Sequence, residues 1–303
     1  MSLIAENDFR DRIVVTGVGG PAGIGATRYL KRKGYSVIGT DMRYITTEAD
    51  QFYVIPAADH PDFILVLRKI VSENKASLLI PTVSEELPMI AMDKSEITST
   101  GCHVIIASYV AIETANDKLL TAQCLAQRNI AVPRSLDGSF GHQDVMAALG
   151  FPLIAKPRIS RGGRGVVVIN TAKDLVREQR KAIVYQKYIP GQEFDVNLYI
   201  DQRGKLKSCV VLAKTLLKDG LVGNALAVER AQRQDVAELG LRACEAIGLT
   251  GPADIDIRID ADGTPKLLEI NARLGANILS AEEIIEDLLA DWKSTAGSKE
   301  RIS

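Results

Sequence analysis

Apolar residues in the first third of the chain fall into short unbroken runs separated by stretches with helical spacing. Residues 13–16 (IVVT) form a β-branched run without polar interruption, the pattern of a strand covered on both faces. The glycine-rich GVGGPAGIG follows and opens a helix that runs through Lys33 and stops at Gly34. YSVIGTD is a second strand closing on Asp41, FYVIP a third, and ASLLIP and HVIIA a fourth and a fifth. Helical spacing over 62–74 and 86–97 places helices between the later strands. Strand and helix alternating in this way predict an α/β fold, with a parallel, doubly wound sheet over roughly the first 110 residues.

The pattern then changes. Helical stretches over 116–127 and 142–149, with VPRSL between them, connect to a part of the chain dominated by strands: IVYQKY, EFDVNLYID, LKSCVVLAK, DIDIRID and KLLEIN. Turn residues at Asp201 to Gly204 and Asp260 to Gly263 predict hairpins, and one helix over 232–247 interrupts the strands. This half reads as α+β with an antiparallel sheet. The expected boundaries are a Rossmann-like domain over 1–112, a second segment over 113–185 and a third over 186–303. The residues after Trp292, KSTAGSKERIS, read as a frayed tail.

Composition narrows the partners. With a formal net charge of −1 over 303 residues there is no basic footprint for nucleic acid or an anionic membrane surface. The four cysteines and three histidines are scattered, without C-x-x-C, so neither a zinc site nor a disulfide framework is visible. The N-terminal MSLIAENDFRDR carries charges where a signal peptide needs an apolar core, and no apolar run reaches membrane-spanning length. A soluble cytoplasmic protein is the expectation, with a homodimer left open.

Candidate chemistry lies in four places. Gly17-Val-Gly19-Gly-Pro-Ala22 follows a strand and opens a helix, with Asp41 ending the next strand, so it meets the context of a dinucleotide fingerprint. TGVGGPAGIG is also similar to short-chain dehydrogenases, but the only Y-x-x-x-K is Tyr29 to Lys33, inside the first helix, where it cannot serve. The preferred reading is a tight turn that lets helix and strand pack closely. PTVSEEL offers Glu85 and Glu86 at a strand's C-terminal end, although Thr82-x-x-Glu85 also reads as a capping box. IAKPRISRGGRGVVVIN places three glycines and three arginines between two β-branched runs: strand, glycine-rich turn, strand, a flap for phosphate groups rather than a P-loop. In ADIDIRIDADGTPKLLEINARLG, Asp256 and Glu269 stand on facing strands, and Glu269, Asn271 and Arg273 share a face if the strand continues. Two carboxylates and an amide oxygen are hard ligands of the kind Mg²⁺ accepts, and Arg273 adds positive charge for a phosphoryl group.

Taken together these motifs resemble the ATP-grasp superfamily, in particular a single ATP-binding module of the carbamoyl phosphate synthase large chain. The resemblance covers nearly the whole chain, with the first sheet similar to the family's pre-ATP-grasp domain. NDKLLT matches the region of a first cation, Lys118; IAKPRISRGGRGV matches the second cation, Lys156, and a flap of Gly162, Gly163 and Gly165. YQKYIPGQE is similar to the adenine hinge, Gln186, Lys187, Tyr188 and Ile189, with Glu193 where the family binds ribose hydroxyls. LEINARLG resembles the metal strand, giving Asp256, Glu269 and Asn271 as ligands of Mg²⁺, with Mn²⁺ the alternative ion. Arg273 and Lys214 fall near the reacting phosphoryl group, Lys214 where many relatives carry arginine.

Carbamoyl phosphate synthases carry arginine at the positions of Lys118 and Lys156 and need two modules; this chain has lysines and one module. The resemblance therefore implies an ATP-dependent carboxylate–amine ligase that forms an acyl phosphate and then an amide from small-molecule substrates. A carbamoyl-phosphate-synthase-like phosphotransferase or synthase domain working with another subunit, and a non-catalytic nucleotide-binding regulatory module, are the alternatives.

Overall fold

The computed structural model describes residues 11–160, 162–178, 182–218 and 225–299. They divide into two compact units, one holding the chain up to Ile105 and again from Trp292, the other spanning Ile106–Asp291. No helix among the described residues is long and apolar enough to cross a membrane.

The first unit contains β1 (Arg12–Thr16), α1 (Pro21–Arg32), β2 (Ser36–Asp41), β3 (Gln51–Val54), α2 (Phe63–Glu73), β4 (Leu78–Ile80), α3 (Leu87–Met92), α4 (Lys94–Ser99) and β5 (His103–Val104). Every strand pair is parallel, in the order β3-β2-β1-β4-β5, as the alternation predicts. Ile13, Val14 and Val15 are wholly buried, which is why β1 has no polar alternation. α2 buries Phe63, Leu67, Ile70 and Val71, a single helical stripe.

The glycine-rich loop is a turn closed on itself. Gly17 has φ +62°, the Gly20 N–H donates to its carbonyl at 2.9 Å, and a Cβ on Gly23 would lie 2.3 Å from that same oxygen. Asp41 accepts the Gly19 N–H at 3.0 Å through one oxygen and the Arg43 N–H at 3.2 Å through the other. The carboxylate thus ties the loop to β2, which is the close-packing role preferred from the sequence. Thr82 corrects another expectation. Its hydroxyl donates to the Thr16 carbonyl at 2.6 Å, and α3 starts only at Leu87 without a side-chain cap, so no capping box forms. Glu86 is buried and Glu85 exposed, so the two do not project as a pair.

The second unit begins with α5 (Tyr109–Asn116), α6 (Lys118–Ala126), β6 (Ser135–Asp137), α7 (His142–Leu149), β7 (Leu153–Pro157), β8 (Val167–Ile169), α8 (Ala172–Arg177) and β9 (Ile183–Lys187). These strands form an antiparallel sheet in the order β6-β9-β7-β8. Next come β10 (Glu193–Ile200), β11 (Leu206–Leu217), β12 (Ala225–Arg230), α9 (Gln234–Ala246), β13 (Gly251–Ile259) and β14 (Pro265–Asn271). They form a second antiparallel sheet, β12-β11-β10-β13-β14. A 3₁₀ turn (Ile278–Ser280) leads to α10 (Glu283–Lys299). The helix continues past Trp292, where the composition suggested a frayed tail. Trp292 is buried, with its ring 6.3 Å from that of Tyr35, and this apolar anchor holds the turns that follow.

Candidate active site

Period-two alternation builds both walls of the site. On β7 and β9, Leu153, Ala155, Ile183 and Tyr185 pack into a core with Val145, Leu149 and Leu175, so Ile154, Lys156 and Gln186 face the other way, into a cleft. On β10, Phe194, Val196 and Leu198 alternate with Glu193, Asp195 and Asn197. Gly240 of α9 comes so close to Val196 and Ile255 that an added Cβ would sit 3.1 Å and 3.5 Å from their side chains. The helix therefore covers the apolar face, and the polar face is left for the site. Across it Glu193 pairs with Arg258, Asp195 with Asp256 and Asn197 with Asp254. Asp256 in turn pairs with Glu269, and Asp254 with Asn271.

A bulge opposite Asp256 and Ile257 breaks the alternation on β14, so the consecutive residues Leu268 and Glu269 both line the cleft. The cleft encloses about 690 Å³, part of it at the open mouth. Lys156, Gly162, Gly163, Glu193, Lys214, Asp256 and Glu269 line it, as does the run Gln186, Lys187, Tyr188 and Ile189. The flap turn between β7 and β8 depends on glycine: Gly162, Gly163 and Gly165 have φ of +61°, +70° and +73°.

Charges in the cleft are closely paired. Lys214 Nζ donates to Glu193 Oε1 at 2.7 Å and to Asp256 Oδ1 at 2.5 Å. Arg258 Nε donates to the other Glu193 oxygen at 2.7 Å. Lys118 Nζ lies 3.3 Å from Glu269 Oε2 and donates to the Ser160 carbonyl at 2.7 Å. Its backbone N–H donates to the Arg158 carbonyl at 2.9 Å, so the start of α6 grips the base of the flap. Asp117 caps that helix by accepting the Leu119 and Leu120 N–H groups, and it also takes Arg158 at 2.6 Å. Lys156 Nζ donates to the Leu268 carbonyl at 3.3 Å.

Burial lowers Lys156 to about 8, with Glu269 opposing and the neighbouring Lys118 assisting that shift. Burial would raise Glu269, but Lys118, Lys156 and Lys214 outweigh it and hold the carboxyl down at about 2. Burial pushes Asp256 up to about 7 against the pull of Lys214, helped by Glu193 and Glu269. Burial opposes the charge on Lys214, yet the carboxylates of Asp256, Glu193 and Asp195 raise it well above the ordinary lysine value. Lys214 is accordingly a fixed cation of the site, and burial with the neighbouring Asp195 pushes Asp254 up as well, against the pull of Arg273 and Lys214.

Four of the expected residues lie behind the lining. Gly165 ends the flap turn. Lys118 is paired with Glu269. Asn271 donates to the Asp254 carbonyl at 3.3 Å. Arg273 does not share a strand face with Glu269, because β14 stops at Asn271 and the Arg273 N–H turns back to the Asn271 carbonyl at 2.8 Å. Its guanidinium instead donates to Asp254 Oδ2 at 2.9 Å. Four residues were missed from the sequence: Asp195, Asn197, Asp254 and Arg258. Their signal is a polar residue at every second position of strands otherwise apolar, EFDVN and DIDIR.

The donor set suits a hard cation. Carboxylate oxygens of Asp195, Asp254 and Asp256 lie within 4.8 Å of one another, and the buried Asn197 Oδ1 has no hydrogen-bond partner. With Glu269 opposite Asp256, the ligand atoms are all oxygen, which fits Mg²⁺ or Mn²⁺.

Comparison with known proteins gives a consistent picture. The ATP-grasp domain model matches residues 115–277, and that of the PylC-like N-terminal domain matches 13–105. The chain is 29% identical over 224 residues to the D-alanine–D-alanine ligase of Pseudomonas entomophila (strain L48), covering 64% of this chain and 68% of that one. It is 26% identical over 296 residues to the D-alanine–D-alanine ligase of Pseudomonas fluorescens (strain Pf0-1), covering 90% and 85%. Further D-alanine–D-alanine ligases are matched over 57% to 58% of their length. The crystal structure of an L-amino acid ligase from Bacillus licheniformis superposes with a TM-score of 0.69 at 19% identity, covering 91% of this chain and 70% of that one. At that identity the likeness speaks for the fold.

Proposed function

The chain belongs to the ATP-grasp family, as a ligase of its C–N bond-forming kind, and on that premise we propose that it joins a small carboxylate to an amine by way of an acyl phosphate, releasing ADP and phosphate. The observation that carries this reading is one cleft in which a glycine flap, a strand-linking hinge, buried lysines and facing carboxylates converge. Gln186, Lys187, Tyr188 and Ile189 bind the adenine, and Glu193 accepts from the ribose hydroxyls. Lys118, Lys156 and the flap glycines hold the phosphates. Lys214 and Arg273 carry positive charge near the transferring phosphoryl group.

Asp256, Glu269 and Asn271 would hold Mg²⁺, or Mn²⁺, which when bound neutralises charge on the β- and γ-phosphates. Phosphoryl transfer asks for positioning and charge more than for a covalent partner. Lys156, lowered to about 8 by burial, is held fully charged beside phosphate oxygens. Glu269, held down at about 2, is ionised throughout the working range.

The relatives join amino acids, so the carboxylate and the amine are proposed to be amino acids or similar small molecules. Hydroxylamine tests this without knowledge of the amine. Protein, Mg-ATP and pools of D- and L-amino acids are incubated with hydroxylamine, which converts an acyl phosphate to a hydroxamate. A pool that yields hydroxamate and ADP in equal amounts identifies the acid and supports the ligase. ADP release that never yields hydroxamate from any carboxylate pool would refute the acyl phosphate.

A further inference from the structure

Arg258 is the residue of the cleft for which neither motif nor composition gave a reason. It stands on β13 two places after Asp256, is only 6% exposed, and lines the cleft beside Ile154, Ile189 and Leu268. Burying a guanidinium against apolar side chains is costly unless its donors are used in fixed directions. They are. Nε donates to Glu193 Oε2 at 2.7 Å, and Nη1 to the Ile189 carbonyl at 3.3 Å. The guanidinium carbon lies 5.9 Å from the Tyr188 ring centroid. One side chain therefore joins β13 to the 188–192 connection between β9 and β10 and to the first residue of β10.

Glu193 has a cation on each oxygen, and the two differ in what else they hold. Lys214, on Oε1, is shared with Asp256. A divalent ion held by Asp256 would draw that carboxylate from Lys214 and repel its ammonium, loosening its hold on Oε1. Arg258, on Oε2, is shared with the hinge carbonyl, so it keeps its grip when the metal side of the site rearranges. The geometry points to Arg258 as the positioning residue for ribose recognition: it fixes Glu193 through Oε2, so that Oε1 turns from Lys214 to the nucleotide's hydroxyls. This rests on the proposed binding of ATP in the cleft, and the experiment separates the two.

The readout is discrimination between ATP and 2′,3′-dideoxyATP, measured as dissociation constants by calorimetry in Mg²⁺ for the wild type, R258M, R258K, E193Q and the E193Q/R258M double variant. Hydroxyls donating to a held carboxylate should favour ATP about ten- to a hundredfold in the wild type. In R258M that preference falls to within about threefold, while dideoxyATP binding changes by less than that. R258K, which can hold Oε2 but offers no planar fork, keeps an intermediate preference. Adding R258M to E193Q costs no further preference, as expected of residues acting through one group. Equal weakening of both nucleotides in R258M would show a merely structural ion pair and overturn the assignment, as would a preference that survives intact. If R258M does not fold, R258K and the double variant, which leaves no carboxylate unpaired, carry the same comparison. A wild type that binds neither nucleotide would refute the ATP reading itself; one that binds both equally would refute only the ribose role.

Discussion

Lys214→Met removes the cation that pairs with two carboxylates of the cleft. Lys214 is 9% exposed and holds Glu193 at 2.7 Å and Asp256 at 2.5 Å. Removing one partner of a buried ion pair typically costs about 3–5 kcal/mol, because the other charge is left uncompensated. Two features reduce that here. Glu193 keeps Arg258 on its second oxygen, and Asp256, already pushed up to about 7, can take up a proton. The expected loss is about 2–3 kcal/mol, which for a unit of this size lowers Tm by about 5–10 °C. Methionine fills the volume of the lysine stem, so little of the loss comes from a cavity. Differential scanning fluorimetry with and without 10 mM Mg²⁺ (a concentration of about that order) is the assay. A divalent ion can replace the missing charge at Asp256, so the variant should gain more from Mg²⁺ than the wild type. A Tm within about 1 °C of the wild type, with the same Mg²⁺ response, would refute the idea that Lys214 compensates the metal carboxylate.

Other consequences are quickly checked. Trypsin cleavage after Arg164, in the flap turn, should slow severalfold with a saturating Mg-ATP analogue, because a lid with few contacts orders when phosphates arrive; unchanged cleavage would count against closure. NAD(H) and NADP(H) should leave Tm unmoved, since Asp41 is buried and ties the loop to β2 through the Gly19 and Arg43 N–H groups; dinucleotide binding that Asp41→Ala abolishes would contradict this. Asp201 accepts the Lys205 and Arg203 N–H groups and faces Lys207, and the Lys205 contact leads in lowering its carboxyl. Its stabilisation is present above the unfolded pKa of about 3.9 and is lost as pH falls through the lower folded value. The stability gap between the wild type and Asp201→Asn should therefore be constant near neutrality and close in acid, as pH falls below the unfolded carboxyl value and through the lower folded one; a gap that widens in acid would reverse the assignment.

Much of the site was legible because its chemistry is local. The flap glycines, the Glu269-x-Asn271 spacing and the Gln186 to Glu193 segment each sit on one stretch of chain. What escaped depends on partners distant in sequence. Asp195 and Asp254 matter because β10 and β13 pair in a register that sets Asp195 opposite Asp256 and Asn197 opposite Asp254. Leu268 reaches the cleft through a bulge that no two-residue alternation announces. Arg273 was expected beside Glu269, and the end of β14 at Asn271 turns it to Asp254 instead. Thr82 fits a capping pattern, but Thr16 on the neighbouring strand offers it a closer partner. In the first unit the strand runs predicted the order of elements well, because a strand buried on both faces leaves a continuous apolar signal.

A metal-dependent nucleotide site built around Glu269 underlies all of these expectations. Calorimetric titration of a non-hydrolysable ATP analogue into the wild type and Glu269→Gln, each with Mg²⁺ and with EDTA, tests it most directly. One site per chain is expected, binding at least about tenfold tighter with Mg²⁺ in the wild type, and a variant that folds but gains less than about threefold from the ion, consistent with loss of a charged ligand. Wild-type affinity that is the same with Mg²⁺ and with EDTA, and is unchanged by Glu269→Gln, would contradict it.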